Sequence, residues 1–293
     1  MKFPPFDYVR AESVAEAIDA LSQSGSDVKI LAGGQSLLQL LGRRAVRPAV
    51  IVDINRVAEL DYIERRDGQI VTGALTRYSA AEHSRLLADE LPLVPKAIDY
   101  VGHTTIRNRG TLGGSISFGD PAGEFPCAAV NLDADVVITS FAGMRVVKAE
   151  ELYTGPYATV LQATEMVTEI RFPLPPASAH WAVAEFSRRH RDYAVIASEV
   201  GIGLDSNGVM DYARIAVAGA SDRVRRFRSA EQALIGQYPD EAAMRAAAEA
   251  VFVAADPIAD VHAPSDFRRE LARTMTFRAI KTAVESAKAS NPT

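Results

Sequence analysis

At 293 residues the chain is long enough for two or three domains and a substantial core. Apolar residues make up 48% and charged residues 24%, which excludes disorder as the main theme, while a net charge of -5 argues against the basic face that nucleic-acid binding requires. One cysteine, Cys127, excludes a disulfide, a thiolate zinc site or a cysteine-ligated iron–sulfur cluster built within one chain. No apolar run approaches the roughly 20 residues of a membrane span and the N-terminus lacks a signal segment, so a cytoplasmic setting is expected.

In chain order, "ESVAEAIDALSQSG" predicts a helix: Ser13 and Glu16 form a capping box, Val14, Ala17, Ile18 and Leu21 share a face, and Gly25 stops it. Strands rich in branched residues are predicted at 28–32, 49–54 and 69–75. A helix at "LPLVPKAIDYVG" precedes a hairpin of "ADVVITS" and "RVVKAE" over "FAG", then a strand "EMVTEIRFP" halted by Pro173. The prolines of 173–179 mark a linker. Beyond it come the strand "HWAVAEFSRR", two strands joined through Ser206, Asn207 and Gly208, and helices at "SAEQALIG", "PDEAAMRAAAEAVFVAA" and "SDFRRELARTMTFRAIKTAVESAKAS". The basic run "SDRVRRFRS" reads as a solvated loop or as a dock for an acidic partner.

Two stretches carry paired glycines followed by a hydroxyl: Ala32-Gly33-Gly34-Gln35-Ser36 and Thr111-Leu112-Gly113-Gly114-Ser115. Both read as turns after a strand, where glycine allows positive φ and lets a ligand reach the backbone. Consecutive N–H groups in such turns make an anion nest, to which a neighbouring hydroxyl adds a donor. Each pair alone is equally a tight turn; together, with "RNRG" ahead of the second, they predict a grip on a diphosphate from two sides. Neither GxGxxG nor GxxxxGK[ST] occurs, which leaves the usual dinucleotide and nucleoside-triphosphate loops unsupported.

The motifs "KILAGGQSLL", "VGHTTIRNRGTLGGSIS", "DPAGEFP" and "EFSRRHRDYA" resemble the FAD-binding medium subunit of molybdenum hydroxylases, a group that includes carbon monoxide, xanthine, quinoline and nicotine dehydrogenases, and the resemblance spans nearly the whole chain. It implies an α+β fold with a two-lobed FAD-binding domain of the p-cresol methylhydroxylase type at 1–176, its lobes at about 1–55 and 56–176, followed by a smaller α+β domain at 177–293. It assigns the FAD diphosphate to Ala32, Gly33, Gly34, Gln35, Ser36 and to Thr111, Leu112, Gly113, Gly114, Ser115, with Asn108 and Gly110 shaping the second turn. Arg107 and Arg109 lend electrostatic support or form a solvated basic turn. Asp120 and Glu124 go to the adenosine end, Glu124 alternatively being a first-turn acid of the next helix. Tyr193 goes against the isoalloxazine ring, or is a core tyrosine; Ile106 and His103 go to the flavin edge, His103 alternatively capping a loop. Cys127 reads as a small buried apolar residue. Phe118 and Gly119 depart from the His and Ala many relatives carry.

The resemblance further implies an oxidoreductase relay in which electrons leave a molybdopterin in a large subunit, cross two [2Fe–2S] clusters in a small one and reach FAD here, the assembly being a dimer of heterotrimers. A standalone flavin oxidase or reductase of the same fold, or a nucleotide-binding scaffold, are the alternatives.

Overall fold

The computed structural model describes residues 2–189 and 191–290; His190, inside one of the quoted motifs, lies outside them. The chain starts with a parallel three-stranded sheet of β1 (Asp7–Arg10), β2 (Val28–Leu31) and β3 (Val50–Asp53), in the order β1-β3-β2. The helix Val14–Ser24 crosses from β1 to β2 and buries Ala17, Ile18 and Leu21, the i, i+1, i+4 face its sequence predicts. The Ser13 hydroxyl accepts the Glu16 N–H at 3.2 Å, but Glu16 closes its own bond on the Glu12 N–H at 2.8 Å, so only half of the expected box forms. Parallel register sets Leu31 opposite Asp53, so β2 and β3 end side by side. Residues 32–36 and Asn55 therefore leave the sheet together.

The second sheet is antiparallel, ordered β4-β5-β10-β6-β7, with β4 (Ile63–Arg66), β5 (Gln69–Gly73), β6 (Asp135–Ser140), β7 (Gly143–Lys148) and β10 (Met166–Pro173). A small hairpin of β8 (Tyr153–Gly155) and β9 (Ala158–Thr159) lies outside it. The hairpin predicted over residues 141–143 is present as β6 and β7, with Gly143 already inside β7, and β10 ends on Pro173 as read. Between β5 and β6 run short helices whose buried faces, including Leu93, Ile98, Leu112, Ile116 and Phe125, share one core with Ile70, Ile170 and Phe172 of the sheet.

The third sheet holds β11 (His180–Ser187), β12 (Ala194–Leu204) and β13 (Met210–Ala218). On one face lies the helix Ser265–Ser290, whose Leu271, Ala272, Met275, Ala279, Ile280, Ala283 and Val284 recur at helical spacing and join the core formed with Val200, Ile202 and Ile215. Ala194, Ala197, Ala216 and Ala218 belong instead to the core of the second sheet, beside Phe125, Cys127 and Ala128 of the helix Glu124–Asn131. Small side chains on that face let the helix sit close to the strands.

The basic run corrects its reading. The Arg226 side chain is largely covered and pairs with Asp133 at 2.7 Å and Glu231 at 2.6 Å, and Arg228 pairs with Glu150. Arg225 and Arg226 are taken up inside the chain, tying the third sheet's region to the second's, while Arg223 and Arg228 keep the solvent exposure the sequence predicts. The mixed α+β architecture is as expected. Among the described residues no helix is long and apolar enough to cross a membrane.

Candidate functional site

The first glycine pair stands where β2 ends. Gly34 has φ 75, a left-handed value that the missing Cβ permits, and the Gln35 side chain locks the turn by donating to the Gly33 carbonyl at 3.0 Å. The chain then enters the helix Leu37–Gly42, with the Gly34 and Ser36 carbonyls accepting from Leu38 and Leu40. Among the described residues, the N–H groups of Gly33, Gly34, Gln35 and Ser36 meet no acceptor. Four successive unpaired amides on a turn bare of Cβ atoms at two positions make an anion cradle.

The second pair differs from its reading. It does not follow a strand: a short helix, Thr104–Arg107, precedes it, and Leu112–Phe118 is itself a helix with Thr111 as N-cap. The Thr111 hydroxyl accepts the Gly114 N–H at 3.2 Å, while the Leu112 and Gly113 N–H groups donate to the carbonyls of Thr76 and Ala74. Those amides are spent within the protein, so this segment is not a nest, and neither of its glycines takes a positive φ. Its glycines serve close approach instead. A Cβ on Gly113 would stand 2.5 Å from the Ala74 Cβ, and one on Gly114 2.6 Å from the Thr111 hydroxyl.

The two segments meet. A Cβ on Gly33 would fall within 2.9 Å of the Arg109 carbonyl carbon and the Gly110 Cα, and one on Gly114 would lie 3.9 Å from the Ala32 Cβ. Glycine at 33 is thus what allows one backbone to lie directly on the other. The seam thus joins the first turn at Gly33 and Ala32 to the second segment at Arg109, Gly110 and Gly114. Gly110 is held from behind by Tyr78, whose ring would be 2.8 Å from an added Cβ and which stacks edge-on against Phe125 at 5.9 Å.

Three residues absent from the sequence reading shape this seam: Asn55, Arg77 and Tyr78. Asn55 donates to the Ala32 carbonyl at 2.7 Å, and Arg77 donates to Asn55 at 2.7 Å and to the Arg109 carbonyl at 2.5 Å. Burial, and after it the Arg109 charge, push the Arg77 guanidinium below its usual value. The signal available was the polar Asn55 two residues beyond the end of β3, level with the end of β2.

Other expected residues divide. Arg107 is buried, pairs with Glu82 at 2.8 Å and donates to the carbonyls of Val101 and Gly102, so it is neither a solvated turn residue nor free to meet an anion. Burial beside a carboxylate and two orphan carbonyls is what fixes it there. Arg109 and Asn108 are exposed, and the Ile106 carbonyl accepts from Gly110 at 2.7 Å. His103 is the N-cap of the Thr104–Arg107 helix without a side-chain capping bond. Tyr193 is 67% exposed, which removes the core reading and leaves a flat ring open to a partner. The Asp120 carboxyl accepts the Ala122 N–H at 2.9 Å.

Glu124 opens the helix Glu124–Asn131 beside Glu185 of β11 and the fully buried Glu199 of β12. Burial first, then the Glu185 charge, raise the Glu124 carboxyl to about 8; burial raises Glu185 to about 7, and burial with both neighbouring charges raises Glu199. Cys127 is fully buried.

Residues 4–175 match the model of the FAD binding domain in molybdopterin dehydrogenase, and residues 181–283 match that of the CO dehydrogenase flavoprotein C-terminal domain. The chain belongs to this family of molybdopterin dehydrogenase flavoproteins. Within it, the 6-hydroxypseudooxynicotine dehydrogenase complex subunit alpha of Paenarthrobacter nicotinovorans is 38% identical, covering 98% of this chain and 97% of that one. The carbon monoxide dehydrogenase medium chain of Hydrogenophaga pseudoflava is 32% identical over 96% and 97%. Among solved structures, quinoline 2-oxidoreductase from Pseudomonas putida 86 superposes with TM-score 0.93 at 36% identity, covering 98% of this chain and 99% of that one. Carbon monoxide dehydrogenase from Hydrogenophaga pseudoflava gives TM-score 0.94 at 34% identity over 98% and 99%. As a member of this family the chain is an FAD-binding subunit of an oxidoreductase.

Proposed function

We infer that the chain is the FAD-carrying electron-transfer subunit of a molybdenum hydroxylase. One observation carries the assignment of the site: the N–H groups of Gly33, Gly34, Gln35 and Ser36 meet no acceptor among the described residues, in a turn whose Gly33 lies on the Arg109 carbonyl and whose Ala32 stands next to Gly114 of the second segment. A diphosphate fits a cradle of unpaired N–H groups without Cβ atoms, and the preorganised amides neutralise it without a cation from solvent. In this reading Ala32–Ser36 donate to the diphosphate, and Thr111–Ser115 supply the opposite wall, with close backbone approach at Gly113 and Gly114. Asp120 and Glu124 accept from the adenosine end, Ile106 borders the flavin edge, and the exposed Tyr193 ring covers a flat aromatic face.

FAD, when bound, supplies the redox chemistry. The chain's own residues bind it, orient it and keep water from its diphosphate. A two-cluster relay needs several thiolates, whereas this chain has Cys127 alone, buried in a helix. The clusters and the molybdopterin are therefore assigned to a small and a large partner subunit, in a dimer of heterotrimers with a cytoplasmic setting. Electrons delivered by those partners leave through this subunit to an external acceptor. The test is to tag the full chain, co-express it with the genes beside its own and record spectrum and composition: a flavin absorption band with a molybdenum-containing and an iron–sulfur subunit in the eluate is expected. A colourless chain that retains no FAD, alone or in any complex, contradicts the reading.

A further inference from the structure

Arg77 lies between the two glycine segments, its backbone bridged antiparallel to Thr111 of the second. Its Nη1 donates to the Arg109 carbonyl at 2.5 Å, the group on which Gly33 rests, and its Nη2 donates to Asn55 Oδ1 at 2.7 Å. Asn55 in turn donates through Nδ2 to the Ala32 carbonyl at 2.7 Å and to Asp53 Oδ1 at 2.7 Å. Its backbone N–H donates to the same Asp53 oxygen at 2.8 Å. The orientation of the Asn55 amide is dictated by its neighbours: a guanidinium on one side requires an acceptor, and a carbonyl with a carboxylate on the other requires donors. A continuous chain of hydrogen bonds thus runs from Ala32, through Asn55 and Arg77, to Arg109. Arg77 forms no salt bridge among the described residues, and its guanidinium is spent on two neutral oxygens, the Arg109 carbonyl of one wall and the Asn55 amide that holds the other.

We propose that Asn55 and Arg77 are positioning residues: their hydrogen-bonded strut sets the separation of the two glycine segments and thereby the affinity for FAD, without touching the cofactor. The proposal rests on the reading that FAD occupies the seam. A wall displaced by about 1 Å weakens every amide contact to the diphosphate at once, because hydrogen bonds between fixed groups fall off steeply with distance and angle.

The experiment is a titration of flavin-stripped full-length protein, alone and in the complex it co-purifies with, by quenching of flavin fluorescence, with the melting temperature of the stripped form measured alongside. Asn55→Ala and Arg77→Ala each weaken FAD binding about 10- to 100-fold. The double variant is no more than about 3-fold weaker than the poorer single, since both break one path. Arg77→Lys, which reaches one acceptor instead of two, falls between wild type and Arg77→Ala and carries the test if the alanine variant does not fold. The slope of affinity against salt stays that of wild type. Wild-type affinity in both alanine variants overturns the strut. So does a loss in Arg77→Ala alone with a shallower salt slope, which marks a direct contact to the diphosphate, or equal losses of melting temperature and affinity that Arg77→Lys does not relieve. If wild type itself binds no FAD, the functional reading fails and the strut with it.

Discussion

Gly33→Ala is expected to strip the protein of FAD. The added methyl falls within 2.9 Å of the Arg109 carbonyl carbon and the Gly110 Cα, and nearer still to the Arg109 oxygen, all of them backbone atoms that no side-chain rotation can clear. Relief requires the two segments to part, and overpacking of this kind costs about 1–3 kcal/mol. The larger effect is on binding, because the seam that parts is the one holding the diphosphate. FAD affinity falls at least about 100-fold, the equivalent of some 2.8 kcal/mol, while the melting temperature of the flavin-free form drops by about 2–12 °C. Gly155→Ala, where an added Cβ meets nothing within 4 Å, serves as the control and keeps wild-type flavin content. Flavin absorbance per chain after gel filtration reads both.

The second large effect is on stability with pH. Glu124, raised to about 8, and Glu185, raised to about 7, sit with Glu199 where the helix Glu124–Asn131 meets the third sheet. Both oxygens of Glu185 and of Glu199 are buried without a hydrogen-bond partner. A carboxyl whose folded value lies above its unfolded value binds more protons folded than unfolded, so its stabilising contribution is complete below about pH 4.5 and is lost as pH rises towards 8. Carboxylates such as Glu165, Glu169 and Asp260 are held below their ordinary range and act in the opposite sense, their contribution vanishing as pH falls through their folded values. Maximum stability is therefore expected between about pH 5 and 6. From there to pH 9 the loss is on the order of 3 kcal/mol, which lowers the melting temperature by roughly 6–12 °C. Glu199→Gln removes one titrating buried carboxyl, raises the melting temperature at pH 9 and flattens the alkaline slope. A melting temperature that is level from pH 6 to 9 in wild type sinks this account of the interface.

Much of this was legible in the residues. The helix at Val14–Ser24 carries its cap, its apolar face and its terminal glycine in one local stretch, and β6 with β7 announce themselves as runs of branched residues around a short turn. Elements defined by nearest neighbours are readable because their determinants are local. The second glycine pair shows where that stops. Thr111-Leu112-Gly113-Gly114 looks like the first pair, yet Thr111 caps a helix and the following amides turn inward to Thr76 and Ala74, partners 36 and 39 residues away. Only the packing of β5 against that helix decides between a nest and a cap. Arg107 is the same lesson with charge: within "RNRG" it is indistinguishable from Arg109, but one guanidinium is swallowed against Glu82 and the other stays in solvent. Asn55 and Arg77 were invisible because each is an ordinary polar residue until β2 and β3 end together beside the second segment.

The most direct trial of the central claim is an experimental map of the flavin-loaded complex. The account places the FAD diphosphate within hydrogen-bonding distance of at least two of the N–H groups of residues 33–36, with the 111–115 backbone on its other side. A diphosphate lying elsewhere, or contacted by only one of the two segments, contradicts it.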